Sequence, residues 1–212
     1  MGNFDYKRLN GSYRLPLRIC ECIKEISLDI FKKQKRNRSY EPDVSSTLLP
    51  YKGAPPGARP IIVYGNTLNN IANKIADIKG KYEVFSLDKI SILEKDEELK
   101  YSLTKKNINC ESDSVLRIKG LEKSCILWST RIEIDFINEA EEFIYTILTR
   151  TNSILIIALS ENTKSYYKSI IQSFDKEKVI CWDEESKIHY TELCKQEKNK
   201  FTKLLSHSLR YP

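Results

Sequence analysis

From Pro60 onward the chain alternates between short β-branched runs and stretches with helical apolar spacing, and this alternation limits the fold more than any other feature. The runs "IIVYG", "YEVFSL", "VLRI", "CILWST", "SILIIAL" and "KVICW" predict strands. They are short and continuously apolar, the pattern of strands buried on both faces. Between them, "NTLNNIANKIADIKG" sets apolar residues at 68, 71, 75 and 78, which predicts a helix with Gly80 as its stop. "ISILEKDEELKYSL", "EAEEFIYTILTRT", "NTKSYYKSIIQSF" and the segment Lys187 to Leu209 are also expected to be helical. Strand and helix in turn imply an α/β fold with a mostly parallel sheet covered on both faces.

Before the alternation, Leu15 to Lys33 places apolar residues at 19, 23, 26 and 30, predicting an amphipathic helix with Pro16 in its first turn. A Pro- and Gly-rich loop, "YKGAPPGARP", then leads into the first strand. The expected organisation is an N-terminal helix and loop over 1–59, a core over 60–186 and a C-terminal helix over 187–212. No run approaches the ~18 apolar residues of a membrane span, and the N-terminus lacks a signal-peptide core. Six cysteines, at 20, 22, 110, 125, 181 and 194, form no C-x-x-C pair, which favours buried thiols in a reducing, cytoplasmic setting over a zinc site or disulfides.

Several chemistries are missing from the motifs. There is no G-x-x-x-x-G-K-[ST] or G-x-G-x-x-G loop to cradle phosphates, and no G-x-S-x-G elbow. The two histidines, His189 and His207, are expected to be surface or packing residues, and no metal site is expected. Glu139, Glu141 and Glu142 open a helix, where negative charge is favourable in itself. The basic run Lys32 to Arg38 is either a salt-sensitive nucleic-acid contact or a solvated helix end. A formal charge of +6 permits a polyanionic partner without requiring one.

Three segments carry a more specific pattern: "GSYRLP" before the first helix, "SVLRIKGLEKSCILW" in mid-chain, and "YTILTRTNSILIIAL" at a helix end leading into a strand. In this order they resemble motifs IV, V and VI of superfamily 1 helicases of the UvrD/Rep type, over roughly residues 9 to 160. The resemblance implies the second RecA-like motor domain, a three-layer P-loop NTPase-type fold. In that family ATP with Mg2+ lies between two motor domains, held mainly by the first. Phosphoryl transfer there depends on positioning and on neutralising spread negative charge.

Carried over residue by residue, the resemblance implies that Arg14 and Arg150 are the catalytic arginines reaching the γ-phosphate. It likewise implies that Tyr13, Gly120, Glu122 and Thr149 belong to the ATP site, Glu122 meeting the sugar. Ser114 and Lys119 fall in the part of motif V that grips single-stranded DNA, and Arg117 is either a phosphate contact or a surface residue. Ser12 replaces the motif IV asparagine, Leu116 replaces the motif V histidine, and Thr151 replaces a final alanine in a change not expected to matter. Only about 100 residues separate Arg14 from Lys119, so no large 2B insertion is expected. Nor is there room before Arg14 for a first motor domain, so ATP hydrolysis is expected only with such a domain from the same or another polypeptide. The expected partners are that domain and single-stranded DNA. The rival reading is a non-catalytic nucleic-acid- or protein-binding module derived from the same domain.

Overall fold

The computed structural model describes residues 15–24, 54–82, 89–118, 121–133, 140–174 and 176–195. A helix over 17–24 (α1) comes first. It is followed by β1 (Ile61–Tyr64), α2 (Leu68–Lys81), β2 (Ile90–Leu93), α3 (Glu97–Thr104), β3 (Cys110–Ser112) and α4 (Val115–Ile118). Then come β4 (Lys123–Ser129), α5 (Ala140–Thr149), β5 (Thr151–Leu159), α6 (Ser165–Gln172), a 3-10 turn at Lys176–Lys178, β6 (Ile180–Cys181) and a last helix over 184–195 (α7). The six strands pair in the order β3-β2-β4-β5-β1-β6, and every pair is parallel.

Alternation along the buried strands divides the core into two layers. On one face Ile62, Leu93, Ile126, Trp128, Leu155 and Ile157 pack under α1, α4, α5, α6 and α7. On the other, Ile61, Val63, Ile90, Ile92, Leu127 and Ile156 pack under α2 and α3. The result is the expected three-layer α/β arrangement. Crossovers through α2 and α3 run toward β3 on one face, and those through α5 and α6 run toward β6 on the other. Opposite directions on opposite faces give these crossovers a common hand, as the connection rule for parallel sheets requires.

Two apolar tetrads exchange their expected roles. "ISIL", anticipated as the start of a helix, is strand β2, with all four residues buried. Ile90 and Ile92 face α2 and α3 while Leu93 faces the opposite layer, the period of two that a strand imposes. The helix starts only after Asp96, whose carboxylate accepts the Leu99 N–H at 2.9 Å. "VLRI", anticipated as a strand, is the short helix α4. Val115 and Ile118 are buried while Leu116 and Arg117 face solvent, a spacing of three that no strand produces. The Ser114 carbonyl accepts the Arg117 N–H, Glu94 Oε1 accepts the Val115 N–H at 2.7 Å, and the Ile118 carbonyl accepts the Leu121 N–H at 2.9 Å, so both ends of the turn are satisfied.

Other boundaries shift less. Gly80 lies inside α2, which continues to Lys81, and the Tyr82 N–H closes the helix on the Ile78 carbonyl. The remainder of the "YEVFSL" run, 83–87, is outside the described residues. The edge strand β3, unanticipated, is held by Glu111, which pairs with Lys89 at 2.5 Å and Lys123 at 2.7 Å and accepts from Ser91 at 2.8 Å. The C-terminal helix starts three residues early, at 184, and its expected extension beyond 195 is outside the described residues. At the other end, Pro55 and Pro56 carbonyls accept the Leu17 and Arg18 N–H groups, docking the loop on the open first turn of α1. Gly57 makes this possible: its φ is +62°, and a Cβ there would lie 2.2 Å from Pro16 Cβ.

Candidate nucleotide and nucleic-acid site

In a parallel sheet all strands begin at one edge and end at the other, and the candidate residues divide between the two. Glu122 and Arg150 precede β4 and β5, which are neighbours, so both stand at the starting edge. The Lys123 N–H donates to the Arg150 carbonyl at 2.9 Å, and Lys123 faces Thr151 across the ladder. Arg150 is therefore located twice. Ile144, Ile147 and Leu148 anchor α5 in the core, and the ladder fixes the residue that follows the helix.

Arg150 is half-buried and follows the C-terminal end of α5, where the helix dipole favours a cation. Glu122 is exposed. Thr149 Oγ1 donates back to the Thr146 carbonyl at 3.3 Å, so it closes the helix. Thr151 does more than was expected of it: its buried hydroxyl donates to the Ile154 carbonyl at 2.9 Å and accepts the Ser153 N–H at 3.3 Å, shaping the start of β5. Farther along the same edge Arg18, Arg59 and Lys178 border a hollow of about 240 Å3 together with Glu21 and Glu177. Arg59 and Lys178 stand level because Ile61 pairs with Ile180.

Ser114 lies at the opposite edge. It follows β3, beside β2, whose Ile92 carbonyl accepts the Asp113 N–H. Asp113 Oδ1 accepts the Ser114 N–H at 2.9 Å and lies 3.6 Å from Arg117 Nε. The Arg117 side chain is 75% exposed, and Leu116, which stands where the helicase pattern has histidine, is 57% exposed. Tyr13, Arg14, Lys119, Gly120, His207 and the basic run 32–38 lie outside the described residues, as does Glu139. Glu141 and Glu142 fall in the first turn of α5. His189 packs its ring on Tyr64. Among the described residues no cluster of three or more His, Cys, Asp or Glu side chains could hold a metal ion, and no helix is long and apolar enough to cross a membrane.

Sequence reasoning passed over the polar groups at the ends of β1, β2, β4 and β5. Asp96, fully buried, accepts from Ser129 Oγ at 2.5 Å and from Arg131 Nε at 2.7 Å, and Arg131 also pairs with Glu98 at 2.8 Å. Thr130 Oγ1 donates to the Ala158 carbonyl and meets the Thr163 hydroxyl at 2.9 Å. Lys74 spans the Tyr64 carbonyl, Asp183 and Glu185, at 2.8, 2.7 and 2.5 Å. The polar triad Ser129-Thr130-Arg131, closing an otherwise apolar run, was the signal available for the Asp96 and Thr130 contacts. Such groups gather where the sheet's connections diverge to opposite faces, the usual ligand-binding edge of open α/β sheets.

The chain is similar to the crystal structure of the C-terminal domain of a possible DNA helicase from Lactobacillus plantarum WCFS1, with a TM-score of 0.56 and 13% identity. The match covers 82% of this chain and 100% of that one. The likeness shows the fold, a three-layer α/β domain on an all-parallel six-stranded sheet, shared with that C-terminal domain. No protein-family model and no curated protein sequence matches the chain.

Proposed function

We propose that this chain is the second motor domain of a UvrD-like, ATP-dependent DNA helicase or translocase. It works in the cytoplasm with a first RecA-like domain, on single-stranded DNA. The observation that carries the reading is the joint placement of Glu122 and Arg150 at one sheet edge, tied by the Lys123-to-Arg150 backbone bond. Two short motifs, nearly thirty residues apart in sequence, meet there in the order the helicase pattern requires.

In this reading Arg150 and Arg14 place positive charge against the γ-phosphate, where negative charge spreads during transfer. Arg150 is suited to that task because its main chain is held by both the core helix α5 and the β4–β5 ladder, so little reorganisation is needed. Glu122, exposed beside it, accepts a hydrogen bond from the nucleotide sugar, with Tyr13, Gly120 and Thr149 shaping the rest of the wall. The Mg2+ ligands and the group that activates water come from the first domain. Ser114, Arg117 and Lys119 contact the single strand. Leu116 cannot supply the hydrogen bond of the histidine it replaces, so Arg117 takes over backbone contact.

The test is reconstitution of DNA-stimulated ATPase activity with the first domain. Arg150→Ala should lower kcat by about 10³-fold or more, the cost of removing an arginine finger. Single-stranded DNA affinity should stay within about twofold. Normal turnover by that variant would refute the assignment of Arg150.

A further inference from the structure

Over the ends of β1 and β5, between α6 and α7, lies a hollow of about 160 Å3 lined by Tyr64, Ser160, Glu161, Lys168, His189 and Glu192. It occupies the crevice from which α2 and α6 depart to opposite faces of the sheet. The Tyr64 and His189 rings form one wall, stacked with centroids 3.5 Å apart and planes 12° from parallel. Ser160 Oγ is buried with no hydrogen-bond partner among the described residues. The neighbouring Thr163 hydroxyl is already engaged, with Thr130 Oγ1 and the Ser160 N–H.

Size and charge decide what such a hollow takes. A cavity of about 150 Å3 accommodates a single benzene-sized ring, so this hollow of about 160 Å3 takes one planar group. Two carboxylates, Glu161 and Glu192, face a single lysine, Lys168. The negative balance is felt at Tyr64, whose hydroxyl is pushed up first by burial and then by Glu161, Glu185 and Glu192, against Lys74. A phosphate-bearing ligand would be repelled here. A guanidinium meets every requirement: it is planar, permanently charged, stacks on aromatic rings and donates forked hydrogen bonds to carboxylates and hydroxyls.

We propose that this hollow is a receptor for an arginine side chain presented by a protein partner. The guanidinium lies against the Tyr64–His189 pair and donates to Glu161 and Glu192. The volume leaves main-chain groups outside, as they are in a polypeptide, which favours a protein source over free arginine. Nothing in this assignment depends on the motor reading, since no residue of the Arg150 edge takes part.

Residue-resolved NMR titration of the full chain with N-acetyl-arginine methylamide tests it. Saturable shifts should appear at Tyr64, Ser160 and His189. The lysine analogue should bind several-fold more weakly. The double variant Glu161→Gln/Glu192→Gln should lose roughly tenfold or more in affinity, as expected when charged acceptors are neutralised. Glu161 is exposed and the Glu192 carboxylate is 60% exposed, so the variant should keep the fold, which circular dichroism checks. Three results would overturn the proposal: no saturable shift at these residues, equal binding by the double variant, or shifts there produced by an oligo-dT single strand and not by the arginine probe.

Discussion

Replacing Asp96 by alanine tests how the ends of β2 and β4 are held. The carboxylate is fully buried and serves three donors at once: the Leu99 N–H at the start of α3, Ser129 Oγ at 2.5 Å, and Arg131 through both Nε and Nη2. Loss of the helix cap alone costs about 1 kcal/mol. Removing one partner from a buried ion pair costs roughly 3–5 kcal/mol, because the other charge stays behind. Arg131 is only 19% exposed, but it keeps Glu98, whose side chain is 73% exposed, so part of that cost is recovered. The net expectation is about 4 kcal/mol, a large share of the ~5–15 kcal/mol of a typical domain. With a urea m-value of about 2 kcal/mol/M, the midpoint should fall by roughly 2 M. Arg131→Met in the same background isolates the coupling, which should exceed about 1.5 kcal/mol in a double-mutant cycle. A midpoint shift under about 0.5 M for Asp96→Ala would refute the claim that this network holds the two strand ends.

Two further outcomes follow from particular contacts. Gly57→Ala sets a Cβ 2.2 Å from Pro16 at a φ of +62°, so it should destabilise by about 1–3 kcal/mol in thermal unfolding and raise hydrogen exchange in α1. Burial raises the Glu111 carboxyl, but hydrogen bonds from Lys123, Lys89 and Ser91 outweigh it and hold the group down at about 2. Because the folded value is depressed, the stabilisation is complete above the ordinary carboxylate range and is lost as pH falls from about 4.5 toward 2. Glu111→Gln should flatten that part of the stability–pH curve by up to about 3 kcal/mol, and an unchanged slope would refute the attribution.

The architecture was legible where runs were long or bounded: "SILIIAL" and "CILWST" could be little but buried strands, and Ile71, Ile75 and Ile78 reach the core as their spacing demands. It was illegible in the tetrads "ISIL" and "VLRI". Four apolar residues fit a strand or a helical turn equally well, and tertiary partners decide. Ile90 had β4 to pair with through Cys125, whereas Val115 had the Glu94 carboxylate waiting to cap it. For the candidate site, local pattern placed Arg150 and Glu122 beside their strands, but only the strand order β4-β5 makes them neighbours. The Asp96–Arg131 pair, 35 residues apart, and the Tyr64–His189 stack had no local pattern to betray them.

The division of candidates between the two edges has a mechanical consequence for the proposed motor. The seven residues of β4, at about 3.3 Å each, span roughly 20 Å between the edge holding Glu122 and the edge holding Ser114. The segment from Ser114 to Glu122 returns across that distance through α4, on the face packed by Val115 and Ile118. It is therefore the shortest covalent path from the strand-contacting end to the nucleotide end, and Glu94 is what seats its far end, through the 2.7 Å bond to the Val115 N–H. Glu94→Ala removes that acceptor and touches neither Arg150 nor Glu122. In the reconstituted enzyme it should leave basal ATPase within about twofold. Stimulation by single-stranded DNA should drop about 5- to 20-fold, the loss expected from roughly 1–2 kcal/mol of coupling. Full stimulation in the variant would mean that coupling does not pass through α4, whatever the fate of the arginine assignment.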